Sequence, residues 1–328
     1  MGKRLRIAVV GTGTWWGREH ARAWAARSDA QLVAIVGRQV EKTAARAAEF
    51  GTTPYIDVGQ MLEREVPDFV SVCLPNEGHF EPTLQIIEAG FPLLVEKPLV
   101  FDLGQADRLL EEAHKRKLFF AINFNHRYAK PIQMAENAIR SGAIGDVVFA
   151  TWRFGGEVGT STNPYANIIE TQCHGFDMLE FLCGPIASVS AEMTDLTGKG
   201  FSSLAVAMRL ASGAVGSLVG SYDSSYAYPA THYLEVNGTR ARIVVVDTVA
   251  SYTFSRAGEE VREVWTAGYF NDRDRNFHAM FERYLDDMVP AFRSGDQPPV
   301  PAMAGRRALQ VALACAASHD SGSRVATL

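Results

Sequence analysis

The run Leu5-Arg6-Ile7-Ala8-Val9-Val10-Gly11-Thr12-Gly13-Thr14-Trp15-Trp16-Gly17 decides the fold. Leu5 to Val10 is a compact apolar strand, the glycines close it with a tight turn, and His20 to Ala26 has helical character. A strand, a glycine turn and a helix in that order aim backbone N–H groups and the positive end of a helix at a pyrophosphate. The third glycine falls one place late, giving GxGxxxG where GxGxxG is usual, and two bulky indoles fill the gap. Alone, the pattern fits a plain strand-to-helix turn equally well. As a dinucleotide turn it makes Gly11, Gly13, Thr14, Trp15 and Trp16 the expected cofactor contacts.

Leu32 to Val36 is a second buried strand. At its end an NAD site would carry a carboxylate for the ribose hydroxyls, and this chain has Gly37 and Arg38 instead. Without the carboxylate a 2′-phosphate is not repelled, and an arginine binds it by charge-assisted hydrogen bonds. NADP is therefore expected ahead of NAD, which stays possible; the competing reading is a turn with a solvated Arg38.

Strand and helix patterns then alternate. Val40 to Phe50 is an alanine-rich helix, Asp57 caps a short helix through Leu62, and Phe69 to Leu74 is a continuous apolar strand. The turn that follows holds Pro75, Asn76 and His79 at a strand's carboxyl end, where open parallel sheets place ligands. Ordinary loop capping competes with cofactor contact there. Phe80 to Ala89 is the next helix, with Pro82 tolerated in its first turn. Phe91 to Val95 is a buried strand that delivers Glu96 and Lys97 to the rim before Pro98 stops it. Such a pair by itself is more often solvated surface than chemistry. Asp102 caps a helix from Leu103 to Lys117, and Phe119 to Asn123 is a further strand. About six strands with intervening helices make a doubly wound α/β parallel sheet, the Rossmann arrangement, over residues 1–124.

The length of 328 residues suits two domains. A net charge of -5 gives no electrostatic reason to expect nucleic acid or an anionic membrane as partner. The first strand begins too early for a signal peptide, and no apolar run is long enough to cross a bilayer. Cys73, Cys173, Cys183 and Cys315 are scattered without CxxC spacing, so neither a metal nor a disulfide framework is indicated. A cytoplasmic protein with reduced thiols is expected.

In the second half, Val147 to Phe154 is a strand with Arg153 near its end, and Gly155 to Ala166 reads as a long loop. Glu170 and His174 stand four apart and Asp177 three further on, which places all three on one face if a helix has begun. A carboxylate near a histidine orients its ring and raises the basicity of its other nitrogen. A core histidine hydrogen-bonded beneath a sheet is the bland alternative. From Ile186 the pattern changes to strands: Ile186 to Thr194, Ser203 to Leu210, Val215 to Tyr222, His232 to Asn237, Ala241 to Val246, Ser251 to Phe254 and Val261 to Trp265. Consecutive strands without helices between them argue a large, mainly antiparallel open sheet, so residues 125–328 form an α+β domain. Its C-terminal helices can pack back on the first domain. Asn276 to Phe292 is amphipathic, and its apolar stripe reads as core.

The glycine turn, the Leu-Pro-Asn turn with His79, Glu96-Lys97-Pro98 and Asn123-Phe124-Asn125-His126-Arg127-Tyr128 together resemble the Gfo/Idh/MocA oxidoreductases, the glucose–fructose oxidoreductase and inositol dehydrogenase family. The resemblance runs on through Ser141-Gly142-Ala143-Ile144-Gly145-Asp146 and Glu170 to Asp177, and covers nearly the whole chain. It implies hydride transfer between a nicotinamide and a sugar or polyol carbon, with residues 125–328 as the substrate-binding and oligomerisation domain. By position, Lys97 matches the lysine that touches the reacting hydroxyl, and His174 the acid/base histidine. Pro98 matches a proline that often follows a cis bond, and Glu170 stands where many relatives have Asp. Glu96 and Asn125 join the expected cofactor contacts, while Arg127, Tyr128, Arg153, Tyr165 and Asn167 join Lys97 and His174 as expected substrate contacts. Two further activities fit such a scaffold: a cofactor-recycling enzyme that oxidises a sugar transiently to cleave a glycosidic bond, and a non-catalytic NADPH-binding regulator. The apolar and small residues of Val215 to Val219 suit a homodimer or homotetramer formed through the open sheet face, as in relatives.

Overall fold

The structure, a computed structural model, describes residues 3–156 and 163–328. The chain divides into two compact units, Met1–Phe124 with Tyr284–Arg306, and Asn125–Arg283 with Arg307–Leu328.

The first unit alternates β1 (Leu5–Val10), α1 (Trp16–Ala25), β2 (Ala30–Val36), α2 (Val40–Glu49), β3 (Thr53–Tyr55), α3 (Val58–Glu65), β4 (Phe69–Val72), α4 (Phe80–Glu88), β5 (Leu93–Val95), α5 (Leu103–Lys115) and β6 (Phe120–Ile122). All strands pair in parallel, in the order β3-β2-β1-β4-β5-β6. The order reverses between β1 and β4, so their carboxyl ends flank the place where doubly wound sheets receive ligands. Continuous apolar strands are what a parallel sheet buried on both faces requires. Asp57 and Asp102 each accept a backbone N–H three residues on, at the starts of α3 and α5. Such a cap contributes about 1 kcal/mol.

Three readings change here. Helix α1 begins at Trp16, four residues earlier than its composition indicates. Strand β3 escaped notice because it has three residues and contains a proline, which only an edge strand accommodates. Val300 to Ala302 runs antiparallel along β6, with Ile122 N–H donating to the Val300 carbonyl and Ala302 N–H to that of Phe120. The core of this unit joins Trp24, Phe69, Phe119 and Phe292 by tilted and edge-to-face ring contacts at 5.2 to 6.0 Å.

The second unit contains α6 (Lys130–Arg140), β7 (Val147–Gly155), α7 (Cys173–Cys183), β8 (Ile186–Thr194), β9 (Ser203–Leu210), β10 (Val215–Ser221), β11 (His232–Gly238), β12 (Ala241–Val246), β13 (Ser251–Arg256), β14 (Arg262–Thr266) and α8 (Asp272–Arg275). Helices α9 (Ala279–Ser294) and α10 (Met303–Ser321) and strand β15 (Val325–Ala326) close the chain. The sheet order is β14-β13-β12-β11-β7-β10-β9-β8-β15. Every pair is antiparallel except β7 with β10, which run parallel from Phe149↔Val215 to Gly155↔Ser221. The sheet is therefore mixed, because β7 enters it from before α7 rather than through a hairpin. Residues alternate strictly: Leu204, Val206, Met208 and Leu218 are buried, while Ala205, Ala207, Val215 and Val219 face outward. Part of the long loop expected after β7, residues 157–162, lies outside the described residues. No helix among the described residues is long and apolar enough to cross a membrane.

Candidate active site

The first unit supplies a turn shaped for phosphate. Gly11 has φ +144°, and a Cβ there would lie 1.9 Å from the Cys73 carbonyl oxygen, so only glycine lets the turn after β1 pass this close to the end of β4. Gly13 is different. A Cβ on it would meet nothing closer than 3.8 Å, so the protein's own packing does not require glycine there and the space beside it is open. Thr14 and Trp15 are exposed and Trp16 is half-buried. No side chain caps the start of α1, and the positive end of this helix faces the glycine turn. At the end of β2, a Cβ on Gly37 would collide with Thr12 and Thr43, and Arg38 beside it is exposed. An open glycine, an uncapped helix start and an exposed arginine at the second strand fit a dinucleotide. The exposed Pro75 and the 3-10 turn Asn76–Gly78 follow β4.

Lys97 stands at the carboxyl end of β5, half-buried, with a cis bond to Pro98. Its neighbour Glu96 is buried and fully engaged: Oε1 meets His20 Nε2 at 2.9 Å and Asn123 Nδ2 at 2.5 Å, and Oε2 accepts the Lys97 N–H at 3.2 Å. Burial pushes the Glu96 carboxyl toward its protonated form, but the His20 hydrogen bond, the charges of His20 and Lys97, and Asn123 outweigh it and hold the group below the usual range. His79 is buried with its ring nitrogens 2.9 Å from the Pro98 carbonyl and 2.8 Å from that of Leu74. It serves as a brace between the turn after β4 and the lysine loop, and burial lowers its pKa despite both carbonyls.

The second unit gathers His174 and its surroundings. Asn125 to Tyr128 form a 3-10 turn, in which Asn125, His126 and Tyr128 are buried. The Asn125 Nδ2 is buried without a hydrogen-bond partner among the described residues, a donor left for a ligand. His174, at the start of α7, stacks on His126 with ring centroids 4.1 Å apart and planes within 7°. Trp152, Phe154, Phe277 and His232 surround His126 at 5.6 to 6.5 Å. His232 is fixed by Thr248 Oγ1 at 2.7 Å from its Nδ1. Gly175 lets α7 lie against the sheet, since a Cβ there would stand 2.6 Å from the Trp152 ring.

Several expected contacts have other employment. Asp177 gives both oxygens to Arg127, at 2.9 Å to Nε and 2.5 Å to Nη2, so this carboxylate holds Arg127 in place. Arg127 also lies over Phe181, 4.6 Å from its centroid. Glu170 belongs to a π turn, Asn167–Thr171, in which Gln172 N–H reaches the Asn167 carbonyl. The four-residue step to His174 thus crosses a junction of two helix types, and the one-face argument for an α-helix does not apply to it. Asn167 is buried, with its amide donating to the Ser202 carbonyl and accepting from Gln172. Tyr165 donates its hydroxyl to Asp320 and packs on Phe201. Arg153 stands on another face of the sheet from His174. Side chains alternate along β7, so Arg153 projects from the face opposite Trp152, Phe154 and His174, where it borders a cavity of about 320 Å³ with Val219 and Tyr228. His20, Asn123 and His232 entered no expectation. Their partners lie 16 to 76 residues away in sequence, and only the spacing of His20 three residues after Gly17 marks one of them.

Residues 5–124 match the model of an oxidoreductase family with an NAD-binding Rossmann fold, and residues 132–244 match that of the GFO/IDH/MocA C-terminal domain. The myo-inositol 2-dehydrogenase of Thermotoga maritima is 26% identical over 339 residues, covering 96% of each chain. The D-glucoside 3-dehydrogenase of Escherichia coli K12 is 34% identical over 150 residues, a match that spans 45% of this chain and 43% of that one. Among solved structures, levoglucosan dehydrogenase in complex with NADH and levoglucosan has a TM-score of 0.88 over 99% of this chain and 100% of its own, at 19% identity. That likeness is one of fold.

Proposed function

The chain belongs to the Gfo/Idh/MocA oxidoreductases, an NAD(P)-binding family of sugar and polyol dehydrogenases, and on that premise we propose that it moves a hydride between a nicotinamide and a sugar or polyol carbon. The observation that carries the reading is Lys97, held at the carboxyl end of β5 in the sheet whose first turn leaves Gly13 open. The nicotinamide, when bound, supplies the hydride acceptor or donor.

The protein's own part is proton handling and orientation. Lys97 polarises the substrate oxygen. In oxidation the hydroxyl proton passes to a ring nitrogen of His174, and in reduction it returns; the two residues are assigned as a pair. The His126 ring stacked on His174 fixes the plane in which that nitrogen is presented. Glu170 is assigned an orienting role. Arg38 favours NADP over NAD through its exposed guanidinium, and Asn125 supplies a donor to the cofactor or substrate. The outward face of β9 and β10 joins copies of the chain into a dimer or tetramer.

A panel of polyols and aldoses assayed by nicotinamide absorbance against both cofactors tests the reading. The expected result is substrate-dependent interconversion of oxidised and reduced nicotinamide, faster with NADP. Glycosidic bond cleavage with no net change in nicotinamide would transfer the chain to the cofactor-recycling class, and cofactor binding without any turnover would make it a regulator.

A further inference from the structure

Behind Lys97 a line of polar groups is buried in the first unit. The hydroxyl of Ser71, on β4, lies 2.8 Å from His20 Nδ1; His20, on α1, reaches Glu96 by its Nε2 at 2.9 Å; and Asn123, just past β6, donates to the same carboxylate oxygen. Ser71 and His20 are completely buried, and Asn123 and Glu96 nearly so. We propose that His20 is a positioning residue for Lys97, acting through the hydrogen bond by which it holds the Glu96 carboxylate and ties it to the helix that carries the dinucleotide turn. The proposal rests on the role given to Lys97 above.

Four titratable groups face this carboxylate. Lys97 follows it in sequence, and His20 meets it from α1. Cys73, in the turn after β4, stays a neutral thiol because burial and the Glu96 charge both push its pKa up. His79 has a backbone carbonyl at each ring nitrogen and is biased by burial toward the neutral ring, which donates to one of them. Against the desolvation of the anion stand the His20 hydrogen bond, which is the largest opposing contribution, and the electrostatic attraction of His20 and Lys97. Without His20 the largest contribution opposing burial is gone, and the balance at Glu96 moves toward the protonated acid. The negative charge that favours a protonated amine next door is then lost.

The second half of the proposal concerns α1. Trp16, at its first turn, meets His20 edge-on at 6.4 Å, and the N-terminus of this helix adjoins Gly13 and Thr14. A pyrophosphate that draws on the first N–H groups of α1 therefore acts on the same rigid element that anchors Glu96. Cofactor docking and the charge beneath the lysine are joined through one histidine. The donors of His20, Cys73 and Glu96 also lie within 4.8 Å of one another, the spacing of a metal site, but the Glu96 oxygen nearest His20 is already occupied by two N–H donors.

The test compares the full-length protein with His20→Ala, His20→Gln and the double variant His20→Ala/Glu96→Gln. Infrared difference spectra at neutral pH should show a protonated carboxylic acid stretch in His20→Ala that is missing from the wild type and from the double variant. His20→Gln, which keeps an N–H donor, should suppress it. In turnover assays the basic limb of the pH–rate profile of His20→Ala should move to lower pH by about one unit, a roughly tenfold change in the protonated fraction on that limb. His20→Phe, which keeps the ring volume without a donor, carries the same predictions should the alanine variant not fold. No carboxylic acid band and an unmoved pH profile in a folded variant would overturn the proposal, as would a stoichiometric metal in the wild type that His20→Ala loses. If the wild type turns over no sugar or polyol, the functional reading fails by itself, and the infrared spectra still decide whether His20 keeps Glu96 ionised.

Discussion

Arg127 and Asp177 illustrate how burial decides what a side chain is for. The guanidinium is mostly covered and its partner almost wholly so, with two hydrogen bonds between them. Removing one member of such a pair leaves the other charge uncompensated in a low dielectric, and Arg127→Met should cost about 3–5 kcal/mol of stability in urea unfolding. A raised substrate KM with unaltered stability would return Arg127 to the list of substrate contacts. His79 makes a pH-dependent contribution of definite sign. Burial holds its folded pKa below the ordinary 6.5, so the unfolded chain binds a proton there that the folded ring refuses. The contribution is complete above 6.5 and declines as pH falls below it, by up to about 1.4 kcal/mol per pH unit. His79→Asn should flatten that part of the stability profile relative to the wild type; parallel profiles would show that the ring is protonated in the fold.

Helix α7 and strand β7 pack against each other in the second unit, and Gly175 sets their separation. Alanine there would drive a methyl into Trp152 and Leu218, and overpacking of this kind costs about 1–3 kcal/mol. Gly175→Ala should lower the melting temperature and the turnover rate together, because α7 cannot yield without moving His174; an unchanged melting temperature would show that the helix has room. Elements with strict alternation were legible in the sequence, and β8, β9 and β12 have the limits their patterns indicate. The same parity, applied to Trp152-Arg153-Phe154, would have set Arg153 on the far face from His174. The π turn before α7 was not legible, since one extra residue in a helix leaves the apolar spacing of Asn167 to Thr171 unmarked. The link between His20 and Glu96 was hidden for another reason: 76 residues separate them, and only the strand order β1-β4-β5 brings their elements side by side.

At the scale of the whole molecule, two units with different sheets divide the proposed labour. The parallel sheet offers its turns to a dinucleotide, and the mixed sheet supports His174 on its covered face. Its other face leaves Val215 and Val219 about half exposed, with Ala205 and Ala207 beside them. Such an apolar surface on an isolated chain is stabilised by association. Val219→Glu should shift the protein toward monomer in light-scattering chromatography, and an unchanged mass would place the contact elsewhere. The central claim is that Lys97 serves the chemistry while the glycine turn and β2 hold the cofactor. Its most direct test is Lys97→Met, assayed for turnover on the best substrate of the panel and, in parallel, for NADPH binding by quenching of indole fluorescence. The account predicts turnover reduced by at least roughly 100-fold with nearly unaltered binding; a variant that turns over at a rate comparable to the wild type would contradict it.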